Sequence, residues 1–428
     1  MKTGLVAVAA FSLLLWGCAQ TEGTDSLSAD LIVTRVVSFT ESVEVGNPQD
    51  NPSDPYLKTG ARGKVFLSWT EQAENKEGRN AFVATLASDG RVSGKPRRMN
   101  DQPGEISSHG GENLAKFTID SNGGVAGIWM MPLPDYHTGE MRVTHADPDS
   151  SFSPAMTLND DGKTVNHAFS TITTGPDGRV YAAWIDGRNR TEFKDDRQQM
   201  FMAVSEDGGK TYGENYLVAD GVCPCCRPNI AFLDGGETLV VSHRFVAKPE
   251  NVRNHVLIRS TDGGRSFGDP VLISDDGWVS KGCPHAGASM TADGRGRIHS
   301  VWWTGGRTDE EAGIYYTYSD DGGSSFFPRQ LITEASAKRV LHTQVRTDKN
   351  NTVYAVWVDI KDEKPQIFLA HRQADGEEWS QIYQLSDGTR NALYPMLAVD
   401  DEHLYVVWTE KEGETSLVKV RTAILTSS

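Results

Sequence analysis

At 428 residues the chain has room for more than one domain, and 38% hydrophobic residues with Trp, Tyr and Phe spread along it supply a real core, which excludes wholesale disorder. A net charge of −16 excludes a nucleic-acid phosphate partner, which needs a basic footprint. It favours solubility and identifies no ligand.

The chain opens on Lys2 and a short apolar run over residues 5–16, too short to span a bilayer, which ends in Leu15-Trp16-Gly17-Cys18. A small residue before Cys at the end of such a run resembles the lipobox of bacterial lipoproteins. That resemblance implies a signal peptide over 1–17, cleavage before Cys18, and a lipid on Cys18 that makes the bilayer a partner. A polar tether follows over 18–30. Ala19, in place of Asp, implies by the same resemblance the outer membrane of a Gram-negative cell envelope, facing the periplasm or the surface.

From residue 31 onward one pattern recurs at intervals of roughly fifty to sixty residues. A short strand leads into a Gly- or Asp-rich turn, and then an apolar strand ends in Trp. Copies of the second strand span 65–69, 180–184, 298–302, 353–357 and 404–408. A further copy ends at Trp129, and the copy at 239–242 lacks its Trp. Alternating apolar positions separated by turn residues predict antiparallel strands. Seven such units of about four strands predict an all-β fold, a β-propeller of four-stranded antiparallel blades over 31–428, with six blades as the alternative. The last unit has room for three strands only, so the Val-rich segment 31–39 is expected to supply the fourth and close the ring.

A second motif recurs within these units. Ser205-Glu206-Asp207-Gly208-Gly209-Lys210-Thr211-Tyr212 is one copy, Ser260-Thr261-Asp262-Gly263-Gly264-Arg265-Ser266-Phe267 another, and Ser319-Asp320-Asp321-Gly322-Gly323-Ser324-Ser325-Phe326 a third. Weaker copies lie near Asp89, Asp147 and Asp375. These octets resemble the Asp-box (BNR repeat) of sialidase-like β-propellers. The resemblance gives Asp207, Asp262 and Asp321 a structural role at hairpin tips, away from the active face. In physical terms, Asp can accept hydrogen bonds from the turn's own backbone and Gly admits positive φ.

In propellers the entry to each blade's innermost strand faces the channel. Aligned there, the units offer His109 and Glu112, His167, Cys226 with Arg227, Cys283 with His285, His342, and Tyr394. Several imidazoles around one channel could converge on Zn or Cu; otherwise they bond loop backbone. Cys223-Pro224-Cys225-Cys226-Arg227-Pro228 opens one unit and Cys283-Pro284-His285 the next. Setting Cys18 aside, four cysteines in an oxidising compartment favour disulfides stapling neighbouring blades. The alternative is thiolate ligation of a soft metal, with His285 nearby.

A third set follows the Trp strands. Glu71, Asp186, Asp359 and Glu410 each fall two residues after the Trp, and Arg188, Arg244 and Arg307 lie at similar places in three consecutive units. Three arginines could clamp a carboxylate, as sialidases clamp sialic acid, or they could tie loops together as ion pairs. A sialidase also needs a Tyr nucleophile and an acid/base Asp; Tyr394 or Tyr136 and Asp186 are the candidates, but the Arg-Ile-Pro motif that opens such domains is missing. The expectation is therefore a propeller binding a small-molecule, glycan or protein ligand or a metal ion at a Cys/His-lined mouth. A sialidase-like glycoside hydrolase and an envelope interaction platform are the alternatives.

Overall fold

The computed structural model describes residues 34–74, 77–107, 113–135, 137–190, 198–280, 282, 284–335 and 342–427. The described chain is all β, with strands joined by turns and four short 3-10 segments and no α-helix. The sheets are antiparallel and mostly four-stranded, as the repeat pattern predicts.

Each sheet begins with an inner strand. In chain order these are Ser53–Thr59, Lys116–Ile119, His167–Thr174, Asn229–Leu233, Ser289–Ala292, Thr343–Thr347 and Asn391–Val399. Each inner strand packs beside the next, and Asn391–Val399 packs beside Ser53–Thr59. The third and fourth sheets are joined by one pairing, Val222 with Phe245. At the N-terminal end, Thr34–Phe39 runs antiparallel to Thr415–Ser427, with Phe39 opposite Ala423; Val43–Val45 pairs further along the same strand, Val43 opposite Val420.

The second strand of each sheet carries the core. Trp129, Trp184, Trp302, Trp357 and Trp408 are almost fully buried. A buried indole N–H needs an acceptor. Trp69 donates to Glu71 at 2.8 Å, Trp184 to Asp186 at 2.8 Å and Trp408 to Glu410 at 3.0 Å. Residues i and i+2 of a strand share a face, so in these three strands the Trp-x-Asp/Glu spacing brings donor and acceptor together, whereas among the described residues the Trp357 indole has no acceptor and Asp359 does not serve it. In the fourth sheet His243 stands opposite Val256 and Leu239 opposite Ser260, while Trp184 stands opposite Phe201 and Val180 opposite Ser205. His243 thus occupies the Trp position of its sheet.

The three Ser-x-Asp turns share one hydrogen-bond scheme. Asp207 accepts from the backbone N–H of Lys210 (3.0 Å) and Thr211 (2.8 Å), from the Thr211 hydroxyl (2.7 Å) and from Ser205 (2.8 Å). Asp262 and Asp321 repeat the pattern with Ser266 and Ser325. The second glycine of the turn packs against the preceding sheet in each copy. A Cβ on Gly209 (φ +93) would stand 2.6 Å from the Cβ of Ala126, and one on Gly323 (φ +80) 2.7 Å from Leu257.

These carboxylates titrate abnormally. The Ser266 hydroxyl and backbone hold Asp262 down at about 2; around Asp207 and Asp321 burial pushes upward, but the same kind of turn bonds outweigh it and bring both to about 2. A depressed folded pKa gives stability that is fully present above the unfolded value, about 3.9, and is lost as pH falls through 2. Asp262→Asn is expected to lower stability in denaturant titrations at pH 7 and to make little difference near pH 2. An equal loss at both pH values would contradict the assignment.

Candidate functional site in the central channel

The inner strands enter the channel through irregular backbone. Register shifts interrupt the pairing between Ser53 and Tyr56, between Ala168 and Thr171, and between Leu393 and Met396. Within them Asp54 (φ 53), Phe169 (φ 53) and Tyr394 (φ 56) are left-handed, and His285 (φ 48) is so at the entry to the fifth inner strand. Such conformations strain residues with a Cβ, and bulges of this kind re-aim side chains. Here they bring rings together: His342 meets Tyr394 edge-on at 4.9 Å between centroids, and Phe169 meets His285 at 5.7 Å.

Further along lies a cavity of about 680 Å³, lined from six inner strands by Tyr56, Ile119, Thr173, Asn229, Met290 and Arg346. Lys58 also lines it. Arg346 is the notable member. Its Nη1 donates to the Val345 carbonyl at 2.7 Å, and among the described residues no carboxylate lies within ion-pair distance. Burial holds its pKa below the usual guanidinium value; Tyr56 acts against that shift and the positive charge of Arg227 adds to it. Arg227 itself is buried and donates to Thr343 O at 2.9 Å, and buried Lys116 donates to Ser170 O. Two carboxylates line the same cavity: Asp177 is paired with Arg179 at 2.6 Å, and Asp120 accepts from the backbone of its own turn.

The three arginines do not assemble into the clamp that was one of their two readings. Arg188 bonds Asp186 (2.9 and 3.0 Å), Asp160 (2.7 Å) and Asn215 (2.8 Å). Arg307 pairs with Asp275 at 3.1 Å on an exposed rim. Arg244 is sealed in the fourth sheet, over Trp278 and donating to Trp303 O at 3.0 Å. Arg188 and Arg307 make ion pairs that tie loops together, the simpler of the two readings, whereas Arg244 bonds a backbone carbonyl and pairs with no carboxylate among the described residues.

Among the described residues, His167, His285 and His342 do not converge on one ion. His167 sits between Gly139 O (2.8 Å), Asp161 (3.2 Å) and Asp186 (3.6 Å), where Arg188 already neutralises Asp186. Among the described residues, close groups of potential ligand atoms are this one and Cys223 with Cys225 and Cys226; His285 and His342 belong to neither. Cys223 Sγ stands 3.1 Å from Cys226 and 3.8 Å from Cys225, too far for a disulfide bond, so no staple forms among these three. His109, Glu112, Tyr136, Cys283 and Cys18 lie outside the described residues, and with them the expected approach of Cys226 to Cys283.

Arg346, Arg253, His243 and His255 escaped the sequence reading. Arg346 carried a signal: a lone arginine inside the inner strand Thr343–Thr347.

This architecture is that of a β-propeller. No family model and no curated protein matches the chain by sequence. Among solved structures it is similar to an ulvan lyase, a polysaccharide lyase bound to -[GlcA(1-4)Rha3S]- (12% identity, 90% of this chain and 95% of that one, TM-score 0.57). It is also similar to a protein of unknown function from Dyadobacter fermentans (14%, 91% and 99%, TM-score 0.53) and to a Penicillium chrysogenum α-L-arabinanase complexed with arabinobiose (15%, 72% and 92%, TM-score 0.50). At these identities the likeness concerns the fold.

Proposed function

We propose that the protein is a seven-bladed Asp-box propeller, closed by its N-terminal strand, that binds an acidic saccharide in its central channel. The observation that carries this reading is Arg346, a guanidinium group facing the channel cavity with no carboxylate to neutralise it. A half-buried guanidinium group with a backbone carbonyl as its partner is a ready site for an anion from outside. Thr173, Asn229 and Tyr56 add hydroxyl and amide groups suited to sugar hydroxyls, and the rings of Tyr56 and Phe232 suit a sugar's apolar face. Uronate-bearing glycans, like the one bound by the ulvan lyase neighbour, unite these features. Calorimetric titration with glucuronate oligomers tests the reading. Binding that weakens as salt rises supports it, and absence of binding to any uronate oligomer refutes it.

A second reading is glycan cleavage at the strand entries, favoured by the His342–Tyr394 contact, which places a proton donor and an acceptor side by side. Reducing-end release from a uronate polymer, lost in Tyr394→Phe, is its expected signature. A fluorogenic sialoside is not expected to be cleaved, because Arg188, Arg244 and Arg307 are committed elsewhere; robust turnover would overturn that expectation.

The address is also a proposal: export, lipidation at Cys18 and residence in the outer membrane. Cys18→Ser is expected to move the protein from the membrane fraction to the soluble one or to leave the precursor uncut. Mature-length protein still in the membrane would exclude lipidation at Cys18.

A further inference from the structure

The thiol cluster lies inside the fourth sheet and its entry loop, apart from the channel cavity, and stands independently of the acidic-saccharide reading. Cys223, Cys225 and Cys226 are almost fully buried, and their sulfurs lie within 4.8 Å of one another. Sulfur atoms around one thiolate-bound ion with bonds of about 2.3 Å stand roughly 3.8–4 Å apart. The 3.8 Å from Cys223 to Cys225 fits that spacing, and the 3.1 Å from Cys223 to Cys226 requires a small opening.

The surroundings say which state the sulfurs hold. Arg253 is buried, and its Nη1 donates to Cys223 Sγ at 3.2 Å. Arg244 is also fully buried, and its Nε and Nη1 have no hydrogen-bond partner. Its charge acts on Cys226, so two guanidinium groups stand by the sulfur cluster. Oxidation of Cys223 to a disulfide would remove the anion that faces Arg253, leaving a buried charge uncompensated.

His243 is not a ligand in this arrangement. Its ring nitrogens lie 2.7 Å from the carbonyl oxygens of Cys226 and Arg244, so the ring is engaged by backbone on both sides. The donor set is thus three soft sulfurs without an imidazole. We propose that Cys223, Cys225 and Cys226 bind a soft d10 cation, Cu(I), in trigonal three-thiolate coordination. Three thiolates and a monovalent cation carry two net negative charges, matched by Arg253 and Arg244. A divalent ion such as Zn(II) would leave one positive charge over and would seek a fourth donor.

The test uses the full-length chain, reduced and stripped of metal, then offered Cu(I) without oxygen against a chromogenic Cu(I) chelator. One equivalent retained per chain is expected, with X-ray absorption showing three sulfur neighbours at about 2.3 Å. Cys226→Ser is expected to lower retention at least tenfold, and Zn(II) is expected to be displaced by Cu(I). The wild-type absorption spectrum keeps the test decisive should the variant misfold. No retained copper, a nitrogen- or oxygen-dominated shell, or an intact Cys223–Cys226 disulfide in protein isolated from cells would each overturn the proposal.

Discussion

Arg346→Met is expected to weaken binding of a uronate oligomer roughly 10–100-fold while making the unliganded protein more stable. A hydrogen bond to a charged group is worth about 1.5–3 kcal/mol, which converts to that range of affinity. The opposite sign in stability follows from the same side chain. Arg346 faces the cavity with a backbone carbonyl as its hydrogen-bond partner, beside the like charge of Arg227, and burial already disfavours its charged form. Met fills much of the same volume without a charge, so relief on the order of 1 kcal/mol is expected in denaturant titrations. Arg346→Lys, which keeps a charge but loses the planar fork, should retain part of the binding. Undiminished binding in Arg346→Met would remove the residue from the site.

The second large effect is structural. Trp184 is fully buried between its sheet neighbours, and its indole donates to Asp186, which is itself buried and also holds Arg188. Trp184→Ala opens a cavity and is expected to cost about 3–5 kcal/mol. Trp184→Phe keeps most of the volume and removes one donor from a buried carboxylate, costing about 1–3 kcal/mol. The difference between the two in urea unfolding separates packing from the hydrogen bond. A loss below about 1 kcal/mol for Trp184→Ala would contradict the placement of this Trp in the core.

Both effects bear on what the sequence could show. The Trp strands and Ser-x-Asp turns are local, periodic features, and they foretold an all-β chain of repeated four-stranded sheets. The carboxylates after the Trp residues were just as visible, but the arginines nearby suggested a clamp. Same-face spacing along the strand, which pairs Glu71, Asp186 and Glu410 with their indoles, is the feature that explains them. The missing Trp at 239–242 was visible too, whereas His243 as its replacement emerges from cross-strand register.

The channel was less legible because its chemistry is assembled across sheets. Arg346 and Arg227 are far apart in sequence, and nothing local announces that their charges meet. The histidines at the strand entries share a sequence position but not a destination: His167 belongs to a carboxylate pocket, His342 to Tyr394 and His285 to Phe169. With the cysteines, the spacing of Cys223 and Cys226 within one loop places them together, and the partner sought in the neighbouring unit, Cys283, lies outside the described residues.

The most direct test of the channel assignment compares one oligosaccharide with itself. A glucuronate oligomer and its carboxyl-reduced, neutral counterpart differ at the group that Arg346 would meet, and calorimetric titration of the full-length chain reads both. The channel reading predicts that the acid binds and that the reduced form binds at least tenfold more weakly. Equal affinity for the two, or no binding of the acid, would contradict it.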